Sequence, residues 1–140
     1  MHQEMHEIEV STSGQGCYEV TDVVANWLNK TGCSNGLLTV FVRHTSASLT
    51  IQENADPDVQ RDLTDALDSL APKSIKYRHS CEGPDDMPAH IKSALTSVSL
   101  TVPVMAGAMG LGTWQGIYLL EHRDASHLRK LVLHFIGKKV

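Results

Sequence analysis

Six nearly uninterrupted apolar residues, Leu37-Leu38-Thr39-Val40-Phe41-Val42, lie fourteen positions ahead of a strong helix start at Asp56-Pro57. That run is far too short to cross a bilayer and is rich in strand-forming side chains, so it reads as a strand covered on both faces. Asp56 offers a carboxylate cap and Pro57 a preset first helical turn. The helix that follows, Pro57–Leu70, carries Val59, Leu63, Ala66, Leu67 and Leu70 at helical spacing, with its acids largely off that stripe. Ser97–Val102 alternates strictly, the mark of a strand with one buried face.

The remaining elements follow the same rules. Glu7–Ser11 reads as a short strand and Gly14-Gln15-Gly16 as a turn. Thr21 is placed to cap a helix over Asp22–Asn29, with Val23, Val24, Trp27 and Leu28 on one side. Residues 73–84 show no period and read as a loop, and a shorter helix spans about Met87–Leu95. Lys92 lies off its apolar stripe, hence toward solvent or a neighbouring subunit. Gly107–Gly112 forms a hairpin loop before a strand over Thr113–Glu121, and Arg129–Ile136 is the last strand. Strands outnumber crossovers, so the expectation is a single α+β domain over residues 1–140, mainly antiparallel.

Charge narrows the function classes. Twelve Lys and Arg against sixteen Asp and Glu give a net charge of -4, without the basic excess that nucleic acid or an anionic membrane would require. Cys17, Cys33 and Cys81 are odd in number and lack Cys-x-x-Cys spacing, which suits three reduced thiols in a cytoplasmic protein. The polar N-terminus lacks the regions of a signal peptide.

Between the apolar strand and the helix, residues 44–58 pack an imidazole, several hydroxyls, two amides and three carboxylates. Groups so polar and so dense are costly to order unless they bind something. His79 and His90 flank a Gly/Pro/Asp loop, and with His44 they make three imidazoles able to converge on a borderline divalent metal. Cys81 is a weaker ligand candidate, and His122, at a strand end, a second-tier one. Asp56 is explained as a cap, but Glu53 and Asn54 are not, so they stand as a base or as orienters of water. Thr45 and Ser46 are candidate hydroxyl donors to phosphate, and Trp114 and Gln115 candidate pocket walls.

Three ordered blocks carry a resemblance. They are His44-Thr45-Ser46-Ala47-Ser48-Leu49-Thr50 with Glu53-Asn54-Ala55-Asp56-Pro57, then Glu82–Ser93, then Gly112-Thr113-Trp114-Gln115-Gly116-Ile117. Together they resemble a family of secondary thiamine-phosphate synthase enzymes over residues 8 to 136. The resemblance implies a two-sheet β-sandwich with about three helices, assembled as a homotrimer. It also implies a transferase joining hydroxymethylpyrimidine diphosphate to thiazole phosphate. In that reading His44, His79 and His90 hold a zinc-class or magnesium ion, and His44, Glu53 and Asn54 act in catalysis. Thr45, Ser46, Trp114 and Gln115 receive a small phosphorylated metabolite. A non-catalytic trimer binding metal or phosphometabolite, and a phosphoester hydrolase, stay open as alternatives.

Overall fold

The computed structural model describes all residues, Met1–Val140. The apolar strand becomes β3 (Cys33–Val42), paired antiparallel on one side with β8 (His127–Lys139) and on the other with β5 (Ser99–Met105). β1 (His2–Thr12) and β6 (Ala108–Met109) complete a five-stranded sheet of order β1-β8-β3-β5-β6. A second, three-stranded sheet has the order β2-β7-β4, from β2 (Gly16–Glu19), β7 (Gln115–Glu121) and β4 (Ala47–Glu53). Every pairing is antiparallel. Three helices accompany the sheets: α1 (Thr21–Thr31), α2 (Pro57–Leu70) and α3 (Asp86–Leu95). No helix is long and apolar enough to cross a membrane.

Leu38, Val40 and Val42 of β3 point inward with Leu131, Leu133 and Phe135 of β8. They meet Leu49, Ile117 and Leu119 of the small sheet, and Val24 and Leu28 of α1. β7 is buried from Gly116 onward because the large sheet covers one of its faces and helices cover the other. On the helical side, Gln60 of α2 donates to the Tyr118 hydroxyl at 2.8 Å.

α2 has the bounds its sequence implies, and the Asp56 carboxylate accepts the Asp58 N–H at 2.9 Å. Its apolar stripe is narrower than expected: Val59, Leu63 and Leu67 are half-buried, whereas Ala66 and Leu70 face solvent. β3 is covered on one face only, since Leu37 and Phe41 are 49% and 43% exposed. Thr21 does not cap α1. It is the first helical residue, and its hydroxyl donates to Glu19 while accepting the Ile117 N–H. Val23 is likewise exposed.

Lys92 departs furthest from expectation. Its side chain is sealed inside, with its ammonium 2.5 Å from Asp68 Oδ1 on α2. Asp68 also accepts from Gln15 at 2.7 Å. The carboxyl of Asp68 is held below its ordinary range: burial pushes it up, but the hydrogen bonds from Lys92 and Gln15 outweigh burial.

A second buried pair joins the sheets. Glu121, at the end of β7, accepts two hydrogen bonds from the Arg129 guanidinium on β8, one of them at 2.8 Å, and a third from Thr12 of β1 at 2.7 Å. Arg129 also donates to the hydroxyl and the carbonyl of Ser46. Removing one partner strands the other charge, so Arg129→Met should lower unfolding free energy by about 3–5 kcal/mol in urea denaturation.

His122 adds a pH dependence. Burial, with the charge of Lys92 second, lowers its pKa to about 4. The unfolded chain, with an ordinary value near 6.5, therefore takes up the proton first. The contribution is fully present above pH 6.5 and is lost as pH falls toward 4, a decrease of about 3 kcal/mol. Denaturation at neutral and at mildly acid pH should show most of that loss absent from His122→Gln.

Candidate metal centre

α3 begins at Asp86, and helical spacing puts His90 one turn further on the same face. The loop before the helix delivers His79. His79 Nε2 lies 2.5 Å and His90 Nε2 3.4 Å from Asp86 Oδ2, and the three ligand atoms all fall within 4.8 Å of one another. Donors bound about 2.0–2.2 Å from one ion stand roughly 3 Å apart, so small rotations would bring this set onto a single cation. The imidazole rings are tilted by 59° at a centroid distance of 5.3 Å.

An outer set of contacts fixes the ligands. His90 Nδ1 is 2.9 Å from the Thr45 carbonyl, which accepts its N–H and leaves Nε2 as the free lone pair. Arg123 donates to Asp86 Oδ1 at 2.8 Å, so Oδ2 remains available on the histidine side. The same guanidinium reaches Asp85 and the Glu82 carbonyl, both at 3.0 Å. The Asp86 carboxyl is held below its ordinary range: burial pushes it up, but bonding to His79 and the charge of Arg123 prevail. Asp86 is thus an anion inside the protein, while His79 opens the cluster to solvent. Two nitrogens and one carboxylate oxygen on one side of an ion would leave its other positions open.

The other candidates sit elsewhere. His44 is outside the cluster: its Nε2 accepts the Lys130 N–H at 2.8 Å, and burial and then the charge of Arg129 hold its pKa below 6.5. The ring therefore ties the end of β3 to β8, and Asp86 occupies the third position that the sequence reading gave to His44. Thr45 offers its carbonyl to His90, and the Ser46 hydroxyl oxygen accepts from Arg129. Cys81 is an exposed free thiol outside the ligand set.

Glu53, Asn54, Trp114 and Gln115 gather at the opposite end of the small sheet, where Glu53 pairs with Gln115 and the Asn54 N–H donates to the Trp114 carbonyl. Asn54 also donates to Glu19, Gln115 accepts the Gly112 N–H, and Trp114 is 63% exposed. β4 runs from Ala47, beside the metal end, to Glu53, so the two groups lie roughly 20 Å apart. One chain cannot bring them to one substrate.

Comparison with known proteins identifies the family of the chain. The profile of a family described as "UPF0047 protein YjbQ-like" matches residues 6–138. A UPF0047 protein of Synechocystis is 49% identical over 98% of this chain and 92% of its own length. The YjbQ protein of Salmonella typhimurium is 42% identical over 94% and 96%. A crystal structure from Clostridium acetobutylicum, described as an uncharacterized conserved protein of the YjbQ/UPF0047 family, superposes with a TM-score of 0.87. It is 39% identical, and the match covers 94% of this chain and 99% of that one. The expected thiamine-phosphate synthase family is not what matches, and none of these descriptions names a reaction. The transferase function and its enzyme class, expected from the resemblance, are therefore not supported by the family that matches.

Arg123 is the cluster's mechanical support. Arg123→Gln should raise amide hydrogen exchange across residues 80–86 while leaving exchange in β3 and β8 unchanged, as measured by mass spectrometry.

Proposed function

Because this chain belongs to the UPF0047 family of YjbQ-like proteins, we propose its function from the site itself: it binds one divalent transition-metal ion through His79, Asp86 and His90. The observation that carries this is the convergence of three ligand atoms, with the Asp86 carboxylate buried and the inner atoms of Asp86 and His90 oriented by bonds on their far sides. Two imidazole nitrogens favour a zinc-class ion over magnesium, which prefers oxygen ligands and several waters.

The ion's ligand, in this reading, is a small anionic molecule such as a phosphorylated metabolite. Supporting this, a groove of about 300 Å³ beside His79 is lined by Lys73, Lys76 and Tyr77. Lys73 is already paired with Asp124 at 2.6 Å, which leaves Lys76 to meet an anion. A cytoplasmic location belongs to the same proposal, since three unpaired cysteines suit a reducing compartment.

Purified protein should carry about one zinc-class ion per chain by elemental analysis, or take one up in titration. His79→Ala and Asp86→Ala should abolish that uptake, and Arg123→Gln should weaken it by about 10–100-fold through loss of the outer contact. His79 lies on an exposed loop, so its variant keeps the fold. Wild-type protein that binds no zinc, cobalt or manganese rejects the proposal.

The proposal extends to a homotrimer. Leu37, Phe41 and Ile136 leave an apolar patch on the outer face of the large sheet, beside Met5 of β1. Light scattering should return three times the 15.3 kDa chain mass, and Phe41→Lys should dissociate the assembly. A monomeric wild type rejects the trimer.

A further inference from the structure

α2 has no fully buried residue although its half-buried Leu63 and Leu67 face the small sheet. The reason is a cavity of about 100 Å³ held between them, lined by Leu63, Leu67, Leu120 and Cys17 with Thr50, Thr64, Thr96 and His122. We propose that this cavity is a binding site for a small uncharged molecule bearing a hydrogen-bond acceptor, which His122 Nδ1 recognises.

His122 is only 4% exposed, and its Nε2 lies 2.8 Å from Ser48 Oγ. The Thr96 hydroxyl donates to Ser48 at 2.5 Å, the shorter of its two contacts, the other being the Lys92 carbonyl at 2.8 Å. With Thr96 donating to Ser48, the Ser48 hydroxyl is free to donate to Nε2, an assignment that leaves the ring proton on Nδ1. Nδ1 has no protein partner, yet no fully buried side-chain nitrogen or oxygen in the chain lacks one. Nδ1 thus keeps some accessible surface, which the proposal assigns to the cavity that His122 lines: a donor almost wholly inside the protein and oriented by a three-residue chain.

The surroundings define the ligand. The carboxylate of Glu121 is committed to Arg129 and Thr12, so no free charge faces the cavity. Burial lowers the His122 pKa to about 4, which keeps its ring neutral at neutral pH. An apolar body meets the leucines while one acceptor meets Nδ1. The volume is smaller than the ~150 Å³ that accommodates benzene in an engineered apolar cavity, so the enclosed part of the ligand has about four non-hydrogen atoms and the rest reaches toward the mouth.

An approach exists. Gln15, Gly16, Cys17 and Thr64 line both this cavity and a wider groove that continues along Pro57, Gln60, Arg61 and Asp65. The turn at its mouth is preorganised, because the Tyr18 hydroxyl accepts the Ser13 N–H and donates to the Gly14 carbonyl. Gln15 then reaches across to Asp68 on α2.

The test uses the full chain with isobutyramide as probe and isobutyrate as its charged isostere, read by nitrogen NMR of the His122 ring and by leucine methyl shifts. Isobutyramide should shift the Nδ1–H and the methyls of Leu63, Leu67 and Leu120 saturably, in the millimolar range expected of so small a ligand. Isobutyrate should bind at least about tenfold more weakly, since the cavity offers no countercharge. Leu67→Phe and, separately, Thr50→Leu fill the space, and whichever variant unfolds cooperatively should lose the response. No saturable shift, equal binding of the carboxylate, or an unchanged response in a folded filled variant overturns the proposal.

Discussion

The Glu121–Arg129 pair determines how the two sheets sit on each other. It joins the last residue of β7 to β8, recruits Thr12 from β1, and holds Ser46 in the crossing from β3 to β4. Burying two charges is costly, and the cost is offset only where every lone pair and proton finds a partner. Here Thr12 and the Arg123 N–H complete the carboxylate's set. With the sheets fixed at that point, what emerges beside it is fixed as well: His122 and Arg123 directly after Glu121, and Thr45 directly before Ser46. One of these faces the cavity under α2, and the other two orient the metal ligands.

The small sheet acts as a partition. Its central strand presents Ile117 and Leu119 to the large sheet and Tyr118 and Leu120 to α2, so it is buried on both sides. The metal cluster lies at one end of this partition, and the cavity lies on its helical side. The two differ in chemistry. The cluster centres on an anionic carboxylate open to solvent through His79, whereas the cavity is neutral and lined largely by hydrocarbon. Arg123 is the mechanical link: it spans from β7 to three residues of the 82–86 segment, converting a long loop into a fixed support.

Elements governed by local rules were legible in the sequence. α2 was readable end to end from Asp56-Pro57 and its apolar spacing, and β3, β5 and β7 from hydrophobic runs and alternation. His79 and His90 stood out by residue type. Asp86 did not, because the apolar spacing begins only at Met87 and leaves Asp86 in the loop. An acid and a histidine four apart at a helix start, with a second histidine upstream, was the available signal. Glu53 failed for a different reason. Its distance from the cluster depends on strand register and direction, and no single segment encodes those. The open second face of β3 is not legible, because a run of apolar residues does not say what covers it. The burial of Lys92 is not legible locally, because helical spacing sets it off the apolar stripe and only the tertiary fold supplies Asp68.

That last pairing carries a consequence for how the sequence can drift. An ammonium sealed in the interior depends on one carboxylate, 24 positions away on another helix. Losing Asp68 alone would strand a charge at a cost of several kcal/mol, whereas replacing Lys92 with an apolar side chain of similar length would leave Asp68 half exposed and hydrated. The order of change is therefore asymmetric. Lineages descending from this chain can give up the amine first and the acid afterwards, but scarcely the reverse. Residue pairs at 68 and 92 among its descendants should record that one-way path.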